Sequence, residues 1–166
     1  MTTTMHEKMS SLLEEKKLCV SIHAKTSDPN ALADYARMTQ VFVNLFSNVI
    51  KFSPPGSRIQ VEISDLVLPD GRPALQCSMS NQGDGIPENE LASIFNRYSQ
   101  SSATRKSGCG TGLGLSICRE LIGLHGGTIW AANRPEGGAV FSFAIPKEMP
   151  MQTQTSPCDP AQPPAV

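Results

Sequence analysis

Residues 34–52 constrain the fold of this chain most strongly, because their apolar side chains recur at the spacing of a single helix face. Asp34 precedes that pattern, and an aspartate there can accept a hydrogen bond from a free backbone N–H of the first turn. The apolar positions are Tyr35, Met38, Val41, Phe42, Leu45, Val49 and Phe52. We therefore predict a helix over residues 34–52, ended by the prolines and glycine of residues 53–56.

Three polar residues interrupt this apolar helix. Asn44, Asn48 and Lys51 are spaced so that they share one helix face. Asparagine is a poor helix former and is costly to bury without partners. Its amide oxygen can join water and phosphate oxygens around Mg²⁺, and a lysine one turn further on can reach a phosphate. The alternative is that these residues cap loops or meet solvent, and the spacing taken alone favours that alternative.

Alternating apolar residues predict five strands in the rest of the chain. They lie at residues 18–26, 59–63, 75–79, 128–132 and 140–145. The second and third are joined by a Pro-Asp-Gly-Arg turn, which indicates an antiparallel hairpin.

Two further helices are predicted, a short one over residues 88–96 and a longer one over residues 112–125. The apolar face of the longer helix carries Leu113, Ile117, Leu121 and Leu124. Leu12 and Leu13 indicate another short helix near the start of the chain. The order of elements favours an α/β (α+β) fold, a two-layer sandwich of a mixed, mainly antiparallel sheet and about three helices.

Glycines cluster at two places in this pattern. Residues 81–87 follow a strand and contain Gly83 and Gly85, which let the backbone approach a flat ligand closely. Residues 108–115 contain four glycines and open a helix, whose free N–H groups make a phosphate site. Neither cluster fits a dinucleotide fingerprint or a P-loop. Each one alone is equally consistent with an ordinary turn.

The segments in this order resemble the ATP-binding domain of sensor histidine kinases, in the gyrase/Hsp90/histidine kinase/MutL superfamily. The asparagine box is similar to NLFSNVIKFS, the first glycine box to SNQGDGIP and the phenylalanine box to IFNRY. The second glycine box is similar to GCGTGLGLSICRELIGLHGGTIW. The resemblance covers residues 18–146 and implies the Bergerat ATP-binding fold.

The resemblance implies ATP and Mg²⁺ as ligands and gives the residues of the first box their roles. Asn48 would hold Mg²⁺ between the phosphates, with Asn44 supporting it. Lys51 would contact phosphate, and Phe52 would pack near the adenine. Asn44, Asn48 and Lys51 would thus be the residues closest to phosphotransfer.

The glycine boxes would enclose the rest of the nucleotide. Gly83, Gly85 and Ile86 would line the base pocket beside Asn81, and residues 98–110 would form an ATP lid in which Arg105 contacts phosphate. The residues expected to close over the phosphates are Gly108, Gly110, Thr111, Gly112, Leu113, Gly114 and Leu115.

Two residues depart from the family pattern. Asn81 stands where an aspartate usually accepts a hydrogen bond from the adenine amino group; it keeps an acceptor oxygen and loses the charge. We therefore expect weaker but retained adenine recognition. Asn44 stands where the ATPase branches have a glutamate, and an asparagine cannot act as a general base. This favours phosphotransfer over hydrolysis.

The histidine that would be phosphorylated is missing from the pattern. His6 is followed by Glu7 but lacks the proline and helical surroundings of an acceptor, His23 lies in a predicted strand, and His125 is expected to cap a helix end. The implied partners are a histidine-bearing dimerisation domain of the same kinase and the receiver domain of a response regulator.

Three parts of the chain follow from this interpretation. Residues 1–17 would be an N-terminal segment, the end of an absent helical dimerisation domain. Residues 18–146 would be the catalytic domain, and residues 147–166 a disordered tail rich in proline. We expect an excised fragment that is monomeric in isolation.

Composition excludes several other functions. The net charge of −1 argues against a nucleic-acid partner held by overall positive charge. The five cysteines are odd in number and none forms a Cys-x-x-Cys pair, which disfavours a zinc site or a disulfide framework and fits a reducing, cytoplasmic location. No apolar run approaches the roughly 20 residues of a membrane span, so no membrane contact is expected. Two alternatives stay open: a nucleotide-responsive module that docks on a partner without catalysis, and a weak ATPase.

Overall fold

The computed structural model describes residues 2–96 and 113–148. Its helices are α1 (Thr2–Glu15), α2 (Tyr35–Lys51), α3 (Glu88–Leu91) and α4 (Gly114–Leu124). Its strands are β1 (Cys19–Lys25), β2 (Arg58–Val67), β3 (Pro73–Ser80), β4 (Thr128–Asn133) and β5 (Ala139–Pro146).

The five strands form one sheet in the order β1-β2-β3-β5-β4. Strand β1 runs parallel to β2 because α2 forms the crossover between them, and the other three pairings are antiparallel. The predicted strands, the hairpin and the mixed, mainly antiparallel sheet are thus confirmed.

The main core lies between the sheet and the helices α2 and α4. Val41, Leu45 and Val49 of α2 are fully buried there. They pack with inward-facing strand residues such as Ile59 and Met79, which are also fully buried. Helices on one face of a sheet confirm the predicted two-layer α/β sandwich.

Some residues expected on the buried helix faces are exposed. Tyr35 is 85% exposed and Leu124 is 75% exposed. Tyr35 begins α2 and Leu124 ends α4, so both lie beyond the turns that pack on the sheet. Phe46 and Ile50, which the predicted face omitted, are buried in the core instead.

The prediction of a short helix over residues 88–96 is correct for the first turn and wrong for the residues after it. Helix α3 ends at Leu91, and turns follow as far as Asn96. The Glu90 carbonyl accepts from the backbone N–H of Ser93 at 2.9 Å and from its hydroxyl at 3.0 Å. The same carbonyl also accepts from the Ile94 N–H at 3.0 Å, but the N–H groups of Ser93 and Asn96 bond carbonyls only three residues back, so tighter turns replace the α-helix.

The ends of the longer helices follow the predicted signals. Asp34 caps α2 by accepting from the backbone N–H of Arg37 at 3.0 Å. His125 closes α4, since its Nδ1 lies 2.8 Å from the Leu121 carbonyl, and Gly126 follows with a φ of +67°. Among the helices of the described residues, none is both long enough and apolar enough to cross a membrane.

Candidate functional site

The polar face of α2 holds the three residues singled out in the sequence. Asn44, Asn48 and Lys51 are each half-buried, so they border the core without being sealed in it. The Lys51 ammonium lies 5.1 Å from the centroid of the Phe52 ring. Phe52 caps the helix and is 36% exposed. This face therefore presents two amide groups and a cation at an open edge of the core.

Asn44 joins this face to the start of α4. Its Nδ2 donates to the Gly114 carbonyl at 3.5 Å. A Cβ added at Gly114 would lie 3.9 Å from Asn44 Cγ, which is an ordinary van der Waals distance, so the Asn44 side chain lies beside this glycine. Helix α4 has 11 residues, and its N-terminal N–H groups carry a partial positive charge. The structure thus brings the asparagine box and the second glycine box together.

Asn81 lies at the base of the first glycine box and is only 2% exposed. Its Oδ1 accepts from the backbone N–H of Ala139 at 2.9 Å and from that of Gly83 at 3.4 Å. Its Nδ2 donates to the Val49 carbonyl of α2 at 3.5 Å. The side chain therefore connects the glycine turn, β5 and α2, and its acceptor oxygen is already paired.

Gly83 and Gly85 are required by close contacts. A Cβ at Gly83 would collide with the Phe52 carbonyl oxygen. Gly85 has a φ of +81°, and a Cβ there would lie 2.8 Å from the side-chain oxygen of Asn133. The turn thus lies directly against the end of α2, where Phe52 stands.

The end of β4 and the turn that follows it support this glycine box, and the sequence did not reveal these contacts. Asn133 accepts from the Ile86 N–H at 2.8 Å and donates to the Ile86 carbonyl at 2.7 Å. Arg134 donates to the Asn81 carbonyl at 3.2 Å. Gly138 has a φ of +91°, and a side chain there would collide with that same carbonyl. The sequence offers only turn-forming residues here, which predict a connection and no contact.

Lys16 is a second residue that the sequence did not single out. Its ammonium donates to the carbonyls of Ile50, Lys51 and Ser53 at 3.0, 2.7 and 3.1 Å. These carbonyls lie at the C-terminal end of α2, where the helix carries a partial negative charge. The residue just after α1 is thereby tied to the helix end that bears Lys51 and Phe52.

The second glycine box is described only in part. Leu113 precedes α4, and its carbonyl accepts from the Ser116 hydroxyl at 2.9 Å. Leu115 packs against the main core. The predicted site residues Arg105, Gly108, Gly110, Thr111 and Gly112, with the lid over residues 98–110, lie outside the described residues.

Cys118 of α4 lies beside the asparagine box. Burial raises the pKa of its thiol to about 11, although a hydrogen bond with Asn44 opposes that shift. The thiol donates to the Val41 carbonyl at 3.8 Å. Because it stays protonated at neutral pH, Cys118 is a packing residue and not a nucleophile.

The donor set suits a nucleotide with its metal. Amide oxygens are hard ligands of the kind Mg²⁺ accepts, and a helix N-terminus with a nearby lysine suits phosphate. The glycine turn lies against the end of α2, next to these polar groups. The two-layer sandwich and this site together define a nucleotide-binding domain of the Bergerat type.

Comparison with known proteins identifies the family. Residues 33–149 match the family described as histidine kinase-, DNA gyrase B-, and HSP90-like ATPase. The chain belongs to this family. The predicted resemblance is confirmed, and so is the predicted fold class.

Individual relatives lie in the histidine kinase branch. Hybrid signal transduction histidine kinase D of Dictyostelium discoideum is 41% identical over 137 residues, which is 81% of this chain and 9% of that protein. The catalytic domain of histidine kinase ThkA, in a nucleotide-free form, aligns with a TM-score of 0.71 and 32% identity over 87% of this chain and 89% of that one. ThkA in complex with the response regulator protein TrrA aligns with a TM-score of 0.65 and 30% identity, over 88% of this chain and 40% of that one. The chain thus spans a small part of its curated relative and nearly all of a histidine kinase catalytic domain.

Proposed function

We propose that this chain is the ATP-binding catalytic domain of a two-component sensor histidine kinase. It delivers the γ-phosphate of Mg-ATP to a histidine on a separate helical dimerisation domain. The observation that carries this proposal is the contact between Asn44 and Gly114, which joins the polar face of α2 to the start of α4. The glycine turn at Gly83 borders the same helix end. The residues proposed for the base, metal and phosphate sites therefore lie along one edge of the core.

The residues along that edge have different proposed roles in binding the metal and the phosphates. Asn48 would ligate Mg²⁺ through its amide oxygen, and Asn44, held by α4, would support it. Lys51 would bring its ammonium to the phosphates, as would Arg105 from the lid. When bound, Mg²⁺ neutralises phosphate charge as it develops. The protein's own contribution is to position the phosphates and exclude water, which suits a transfer that needs little covalent chemistry from the enzyme.

Asn44 favours transfer over hydrolysis. A hydrolase needs a base near the attacking water, and the amide of Asn44 cannot accept a proton at neutral pH. Its Nδ2 is moreover turned to the Gly114 carbonyl, so the side chain is held in a structural contact. The attacking group and its base would therefore come from the partner domain.

The partners follow from this division. The first is the histidine-bearing dimerisation domain of the same kinase, and the second is the receiver domain of a response regulator, as the ThkA–TrrA complex suggests. We place residues 18–146 as the catalytic domain, residues 1–17 as the end of the helical domain and residues 147–166 as a tail. The domain is a monomer on its own and works in the cytoplasm, where ATP is available.

Calorimetric titration with ATP, with and without Mg²⁺, tests the site. We expect binding that depends on Mg²⁺ and is lost in Asn48→Ala. Asn30→Ala is the matched control, because Asn30 is an exposed asparagine in the loop before α2. Failure of the wild-type chain to bind ATP, or equal losses in both variants, would overturn the proposed metal and phosphate site.

Transfer is tested by supplying the acceptor. Radiolabelled γ-phosphate should appear on a histidine-bearing dimerisation domain mixed with this chain, and Asn48→Ala should abolish the label. Release of free phosphate that exceeds transfer and disappears in Asn48→Ala would identify a weak ATPase instead. Binding of ATP without either reaction would favour the partner-docking module.

A further inference from the structure

We propose that Lys16 is a positioning residue that keeps the Lys51 side chain available for the phosphates. It does so by occupying the backbone carbonyls to which Lys51 would otherwise donate. The inference rests on the proposed nucleotide site and concerns how one of its cations is held. Lys16 acts through Lys51, which lies 35 residues further along the chain, and does not itself contact the nucleotide.

The carbonyls at the end of α2 are strong acceptors for a cation. The last carbonyls of a helix have no partner within the helix, and they carry a partial negative charge. A lysine in the last turn can bend back and donate to them. Lys51 is the last residue of α2 and the basic residue of its last turn. It is therefore placed to cap its own helix, and its ammonium would then be engaged with backbone and not with phosphate.

Lys16 takes these carbonyls instead. Its ammonium donates to the carbonyls of Ile50, Lys51 and Ser53 at 3.0, 2.7 and 3.1 Å. An ammonium group has three donors, so the three bonds use all of them. A second cation at the same carbonyls would face the first at close range and be repelled. The Lys51 ammonium lies elsewhere, 5.1 Å from the centroid of the Phe52 ring.

The backbone of Lys16 is held on both sides, which fixes the position of this cation. Its N–H donates to the Leu12 carbonyl of α1 at 3.1 Å, and its carbonyl accepts from the Gly56 N–H at 2.8 Å. Leu13 of α1 packs against the main core. The Lys16 side chain is half-buried, so water competes for the three carbonyls less than at a fully exposed site. The end of α1 thus supplies the cap of the helix end that bears Lys51.

A double-mutant cycle tests whether Lys16 acts through Lys51. The four proteins are the full chain, Lys16→Met, Lys51→Met and the variant with both changes. Dissociation constants for Mg-ATP are measured by calorimetry at a temperature where circular dichroism shows each protein to be folded. Lys17→Met is the control for charge, because it removes a positive charge from an exposed neighbouring residue. Lys16→Gln keeps two N–H donors and repeats the cycle with a smaller cost to folding.

We expect Lys51→Met to weaken Mg-ATP binding about ten-fold, the scale of one hydrogen bond to a charged group. Lys16→Met should weaken it by a similar factor, because Lys51 then turns to those of the vacated carbonyls that it can reach. The double variant should bind no more weakly than Lys51→Met alone, and Lys51→Met should likewise hide the effect of Lys16→Gln. Lys17→Met should stay within about two-fold of wild type, since solvent and salt screen an exposed charge.

Losses that multiply in the double variant, to about a hundred-fold, would overturn the inference, since Lys16 would then act independently of Lys51. So would wild-type affinity in Lys16→Met, or an equal loss in Lys17→Met, which would reduce the effect to net charge. Wild-type affinity in Lys51→Met would remove Lys51 from the phosphate site and refute the inference with that assignment. Absence of Mg-ATP binding by the wild-type chain would instead refute the proposed function as a whole.

Discussion

Replacing Lys16 by methionine should destabilise the domain, because its ammonium is bonded to the end of α2. The ammonium donates to three carbonyls at the end of α2, at 2.7–3.1 Å. Methionine keeps a flexible apolar stem of similar length and removes only the charge and its donors. The expected effect therefore reports on the helix-end contact and not on packing.

The magnitude follows from opposing terms. A hydrogen bond to a charged group contributes about 1.5–3 kcal/mol net, and a cation at a helix C-terminus typically contributes about 0.3–1 kcal/mol. The three bonds share one charge, so they do not add. Ordering a lysine side chain opposes them by up to about 2 kcal/mol. We expect a loss of about 2 kcal/mol, which lowers Tm by roughly 4–8 °C for a chain of this size.

Urea unfolding followed by far-UV circular dichroism measures this loss. Lys17→Met is the matched control, because Lys17 is the adjacent lysine and its side chain is exposed. The control should stay within about 0.5 kcal/mol of wild type, as surface substitutions usually do. Equal stability of Lys16→Met and Lys17→Met would refute the argument that Lys16 caps α2.

Three further predictions concern backbone and caps. Lys17→Gly should raise the free energy of unfolding by about 0.5–1 kcal/mol in urea, because Lys17 has a φ of 52°; no gain would refute the strain. Gly83→Ala should lower the free energy of unfolding by about 1–3 kcal/mol and abolish nucleotide binding in calorimetry, because its Cβ would collide with the Phe52 carbonyl. Wild-type stability and binding in this variant would show that the backbone of the turn can shift to accept the methyl group. The hydrogen bond from the Arg37 N–H lowers the pKa of Asp34 in the folded state. The ionised carboxylate therefore stabilises the fold fully above its unfolded pKa of about 3.9, and this stabilisation is lost as pH falls through the lower folded pKa. Asp34→Asn should therefore lose stability less steeply than wild type below about pH 4 in urea titrations, and parallel curves would contradict this.

Local signals predicted most of the fold. The spacing of Val41, Leu45 and Val49 gave α2, and Asp34 marked its start within one residue. Apolar alternation predicted all five strands, including β1, whose apolar residues Val20 and Ile22 are exposed. One error fell where local hydrogen bonds outweighed the pattern: the N–H groups of Ser93 and Asn96 bond carbonyls three residues back, and tight turns replace the end of the predicted helix.

Contacts between distant segments were beyond the sequence pattern. Lys16 stands in a run of charges that predicts only a solvated surface, yet it reaches carbonyls 34 to 37 residues away. Asn133 ends β4 next to residues that predict only a strand connection, yet its side chain accepts from the N–H of Ile86, 47 residues earlier. Both depend on how the sheet places its loops, and no residue spacing encodes that placement.

Asn81 shows how such a distant contact changes the meaning of a substitution. From the sequence, an asparagine in place of an aspartate loses a charge and keeps an acceptor for adenine. In the fold, the backbone N–H of Ala139, 58 residues further on, takes that acceptor, and the Val49 carbonyl orients the opposite end. A carboxylate at this position would have no N–H to donate to that carbonyl. A substitution that local reasoning treats only as a lost charge therefore also joins β5, α2 and the glycine turn, because backbone groups of all three surround the amide.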